Sequence, residues 1–81
     1  MHEMGIASSV IEAVRAEAAK RPGARVVQVG LRIGALAGVD RDSLSFCFQA
    51  LVQDTDLASA RLAIEGAAGD ELDITWLELE E

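Results

Sequence analysis

Histidine, cysteine, proline and tryptophan occur once each in these 81 residues, and tyrosine not at all. The lone cysteine, Cys47, cannot close an internal disulfide or build a thiolate metal site. A single histidine rules out a Ser-His-Asp constellation, and no Gly-rich phosphate loop of the Walker type is present. The chain is therefore not expected to be an enzyme. No apolar run approaches the roughly 18 residues of a membrane span. The opening residues lack a basic region followed by an apolar block, so no signal peptide is expected and the default location is the cytoplasm. Cations are also scarce: seven basic residues stand against fourteen acidic ones, for a net charge of −7. Nucleic acid is excluded as a partner, because phosphate contacts need a basic face. A basic partner surface or a cation remains compatible with that charge.

What the chain has is apolar surface. Half of it is hydrophobic (51%), yet only 4% is aromatic, so Val, Leu, Ile and Ala must fill the interior. That content is too rich for disorder, and the length suits one small domain over residues 1–81. Met4, Ala7, Val10, Ile11, Val14 and Ala18 recur at helical spacing. Lys20, Arg21, Pro22 and Gly23 then supply end-of-helix cations and two breakers, which predicts a helix from about residue 3 to about 20.

From Arg25 to Ile33 the residues Val27, Val29, Leu31 and Ile33 alternate with Gln28, Gly30 and Arg32, the period of a half-buried strand. A Gly-punctuated turn follows, in which Gly34 and Gly38 supply either positive φ or close backbone approach. Asp40 or Asp42 can cap a second helix, whose face is Leu44, Cys47, Phe48, Leu51 and Val52. Residues 60–65 and 72–79 read as strands. Leu72, Ile74 and Trp76 share one face of the last strand, and a bulge near Trp76 and Leu77 would bring Leu77 and Leu79 back to the core side. The short Gly-rich connection 66–71 predicts an antiparallel hairpin. The expected fold is α+β, in the order helix, strand, helix, strand, strand, with two amphipathic helices on one face of a small three-stranded sheet.

Chemistry is concentrated at Met1, His2 and Glu3. A histidine at position two can bring a free α-amine, backbone amides and an imidazole to one point. Ni(II) and Cu(II) favour such tetragonal or square-planar nitrogen sets, and the imidazole must be neutral to bind. Taken by itself, the same pattern also describes an ordinary exposed histidine at a helix start.

The start Met1, His2, Glu3, Met4 with Ser9, Val10, Ile11, Glu12 resembles the opening of HypA-type nickel incorporation proteins. The stretch Val29 to Val39 is similar to that family's V-x-L-x-I-G-x-L-x-G-V segment. Leu44 to Phe48, Leu62 to Glu65, and Glu71 to Ile74 with Leu77 to Glu80 continue the match in order along the chain. The resemblance implies a nickel metallochaperone, which hands Ni(II) to the maturing large subunit of [NiFe] hydrogenase, or to urease, with the GTPase HypB. It implies nickel ligands at the Met1 amine, the His2 amide and imidazole, and the Glu3 amide. The family also inserts a zinc-binding domain with two CxxC pairs between its second and third strands. Residues 66–71 stand there instead, and with one Cys and one His no zinc site is expected, since a structural site takes roughly four ligands.

Other residues have plainer readings. Cys47 reads as a packing cysteine, Asp40 and Asp42 as caps, and Trp76 as core or a partly exposed anchor with an interface role open to it. Glu78, Glu80 and Glu81 read as a solvated acidic edge that could meet a basic surface. An exposed edge strand also makes a homodimer plausible. The rival functional reading is a HypA-like module that docks on a maturation GTPase or a hydrogenase subunit without carrying metal.

Overall fold

A computed structural model describes residues 2–81. The elements are α1 (Glu3–Ala18), β1 (Arg25–Gly34), α2 (Arg41–Val52), β2 (Arg61–Ala67) and β3 (Leu72–Glu80). This is the expected order, with each boundary within about two residues of the expected one. The helix α1 stops at Ala18, ahead of Pro22 and of Gly23, whose φ of 90° is the left-handed conformation glycine favours.

The strands form one mixed sheet in the order β2-β1-β3. β1 runs parallel to β2 and antiparallel to β3. The expected hairpin between β2 and β3 is therefore not formed: the two strands flank β1 and do not pair with each other. With Gly66 and Ala67 still paired in β2, the connection narrows to residues 68–71, which cross over the end of β1. There the N–H groups of Gly34, Ala35 and Leu36 donate to the carbonyls of Glu71, Ala67 and Gly69, each at 2.8 Å. A side chain on Gly34 would collide with the Gly69 carbonyl and the Glu71 carboxylate, so this glycine serves close approach. Gly38, at φ 71°, serves the turn itself.

Both helices lie on one face of the sheet, where Ala7, Val10 and Val14 of α1 meet Leu44, Phe48 and Val52 of α2 above Val29, Leu31 and Ile33. Leu57 and Ala60, from the segment after α2, close the core. Two bulges correct the expected strand faces. On β1 the extra residue is Val27, which shifts the parity so that Val26 is buried and Val27 is not. On β3 the extra residue is Thr75, just ahead of the expected position. Ile74, Leu77 and Leu79 therefore share the helix side, while Trp76 turns to the opposite, open face. Its ring lies against Gly30, where any β-carbon would overlap the indole, and Trp76 remains 45% exposed.

Candidate functional site

The first described residue, His2, is the N-cap of α1, with φ −93° and ψ 89°, and its exposed side chain makes no capping hydrogen bond. Its carbonyl accepts from the Ile6 N–H at 3.1 Å, which starts the helix. The first N–H groups of a helix have no intrahelical acceptor. The amide nitrogens of His2 and Glu3 thus stand outside the helical hydrogen-bond ladder, and the imidazole is free of the helix end. Met1, expected to contribute its amine, lies outside the described residues.

Glu3 opens α1, and its carboxylate has a defined task. Oε2 accepts from the Asp40 backbone N–H at 3.0 Å. That bond, with a second contribution from its own backbone N–H, holds the Glu3 carboxyl below its ordinary pKa. Asp40 is at the same time the N-cap of α2: its Oδ1 accepts from Ser43 N–H at 2.9 Å and its carbonyl from Leu44 N–H at 2.9 Å. The starts of the two helices are tied together through one residue. The sequence pointed to Asp40 as a cap but carried no signal for the Glu3 contact, which spans 37 positions.

Among the described residues no three His, Cys, Asp or Glu side chains converge in a way that could hold a metal ion. Cys47 is half-buried against the core on α2, in keeping with a packing role. What the N-terminus offers a metal is one imidazole and successive main-chain nitrogens, a donor set suited to square-planar Ni(II) or Cu(II). His2 also lines a groove formed by Gly5, Ile6, Ser9 and Val10 of α1 with Leu72 to Ile74 of β3.

A two-helix layer on a mixed three-stranded sheet, with an unencumbered histidine at the helix start, defines the class of domain. The same fold occurs in the solution structure of the nickel metallochaperone HypA from Helicobacter pylori (TM-score 0.74, 24% identity, 83% of this chain and 58% of that one). Residues 1–71 match the family described as hydrogenase/urease nickel incorporation, metallochaperone, HypA. The chain is 46% identical over 69 residues to the hydrogenase maturation factor HypA of Pelodictyon phaeoclathratiforme, covering 85% of this chain and 59% of that one. It is 48% identical over 69 residues to the factor of the same name from Geobacter metallireducens, covering 85% and 60%. The chain belongs to the HypA family. It spans about three fifths of the length of these two relatives.

Proposed function

We propose that this chain is a nickel carrier that takes Ni(II) at its N-terminus and serves the maturation of a nickel enzyme. Membership of a nickel-incorporation family supports the cargo and the role. The observation that carries the site is local: His2 sits exposed at the helix start with neither its imidazole nor its own amide and that of Glu3 claimed by the helix. The Met1 amine, the two amides and the imidazole would complete a nitrogen set for the cargo ion. Two deprotonated amides would balance the charge of Ni(II), so the positive end of the α1 dipole does not oppose binding. Glu3 would join through its amide nitrogen, its carboxylate being held by Asp40.

Carriage requires release. Acidification reprotonates the amine, amides and imidazole, and a recipient with better ligands competes for the ion. The recipients would be a hydrogenase large subunit or urease, and the assisting partner a HypB-type GTPase. The domain is taken as one nickel-binding unit over residues 1–81, with the connection 66–71 in the place of the family's zinc domain. The role is binding and transfer, with no bond made or broken beyond metal coordination and the N–H bonds of the ligands, whose protons go to and return from solvent.

The test is a Ni(II) titration of the tag-free protein followed by absorbance, beside a version carrying one extra residue before Met1. Stoichiometric binding with a square-planar d–d band, lost in the extended version, is the expected result. Binding that is absent, or indifferent to the extension, overturns the proposed site. His2→Ala should remove the band while leaving the fold intact, since the imidazole makes no capping bond.

A further inference from the structure

β3 is an edge strand: among the described residues it pairs with β1 alone, and its outer row of main-chain groups meets no other strand. The helix layer covers it only in part: α1 rests mainly on α2 and β1, and grooves remain between α1 and β3. A trough of about 700 Å³ results, with Ala13, Val14, Ala16 and Glu17 of α1 on one wall, Lys20 and Arg21 just beyond the helix at its end, and β3 on the other wall. On the β3 wall four successive residues, Ile74 to Leu77, line it, followed by Leu79. Successive residues alternate in direction, so the trough opens onto the strand's edge as well as its helix-side face. Ile74, Leu77 and Leu79 are left half-buried. The opposing alanines leave room for incoming side chains. Toward the N-terminus the groove beside His2 extends the same wall from Ile74 back to Leu72.

The charge on this strand is of one sign. Asp73, Glu78 and Glu80 are exposed along it. Among the described residues Glu80 pairs with Arg25, while Asp73 and Glu78 have no ion-pair partner. A second copy pairing its own β3 here would set acid against acid, the arrangement that keeps natural edges from self-association. A segment from a different protein with cations at alternate positions would meet complementary charge.

We propose that the outer edge of β3 takes a fourth strand from a partner protein, an extended segment whose residues alternate between apolar and basic. Its apolar side chains enter the trough between the α1 alanines and Ile74, Leu77 and Leu79. Its basic side chains lie on the open face beside Asp73 and Glu78. Main-chain hydrogen bonds to β3 supply affinity, and the alternation supplies specificity. The segment would need about the length of β3, which has nine residues.

The experiment uses the full chain without nickel, so that its outcome is independent of the metal reading. The probes are a nonapeptide alternating Val and Lys, its Val and Glu counterpart, and a peptide with the Val and Lys residues in two blocks. Amide hydrogen exchange across the chain locates the contact. The alternating basic peptide is expected to slow exchange at the outward β3 amides, with affinity falling on the order of tenfold between low and high salt. The double substitution D73K/E78K, at exposed positions, is expected to reverse the preference to the acidic peptide. Ala16→Phe, also exposed, is expected to fill the trough and abolish protection without changing charge. Equal binding of all three peptides, or protection elsewhere than β3, overturns the proposal. So does β3 protection that grows with protein concentration alone, which would make a second copy the occupant.

Discussion

Asp40 carries more of the architecture than any other polar residue at the helix starts, because it caps α2 with its side chain and holds Glu3 with its backbone. Asp40→Ala removes only the first of these contacts. The expected loss is about 1 kcal/mol, typical of an N-cap deletion and measurable by urea denaturation. The Glu3 contact should show in its pH dependence. Its folded-state pKa lies below the unfolded value, so the contribution is complete above the unfolded pKa and is lost as pH falls through the folded one. The Asp40 amide proton, followed by NMR, should therefore titrate below the ordinary glutamate range, and Glu3→Gln should abolish that titration. In the interior Phe48 is fully buried between the helices and the sheet. Phe48→Ala is expected to cost about 3–5 kcal/mol, close to the roughly 5 kcal/mol at the low end of domain stabilities. Circular dichroism should find this variant largely unfolded or melting far below the parent.

Among the elements, β3 departs furthest from simple alternation, and its bulge decides what the strand presents on each side. With Thr75 in place, Leu77 and Leu79 reach the core and Trp76 faces out. Deleting Thr75 should pair β3 with β1 without the bulge while Ile74, Leu77 and Leu79 keep the helix side, because the remaining residues then alternate regularly. The expected outcome is a protein that stays folded by circular dichroism and elutes as the parent does on size-exclusion chromatography. The packing of Trp76 on Gly30 is open to a spectroscopic check. Gly30→Ala places a methyl where the indole lies, so the ring must lift away and its fluorescence emission shift to the red. An unchanged emission maximum would mean that the ring does not rest there. α2 is the contrasting case: Leu44, Phe48 and Val52 follow a plain helical period, while Phe46, at 74% exposed, falls off that stripe. Spacing alone made Leu44, Cys47, Phe48 and Val52 legible as the inner face, but Leu51, expected on the same stripe, is exposed at its edge.

For the whole molecule, the sequence by itself determined the number, type and order of the elements, because apolar periodicity and the Gly, Pro and Asp signals that bound each segment are local properties of the chain. The family was equally legible, from the opening tetrad and the glycine-punctuated stretch after the first strand. Strand order was decided only in the tertiary structure. A short connection favours a hairpin locally, but α2 carries β2 to one side of β1 as a parallel neighbour, and the other side is then left to β3. The strand faces were settled by two bulges: the parity break between Trp76 and Leu77 announced the one on β3, whereas the one at Val27 arises from pairing with a partner strand and leaves no mark in the alternation of β1. The contact between Glu3 and Asp40, and the trough beside β3, share this origin. Each depends on how the helix layer sits on the sheet, a balance of packing among residues far apart in the chain, which no local pattern encodes.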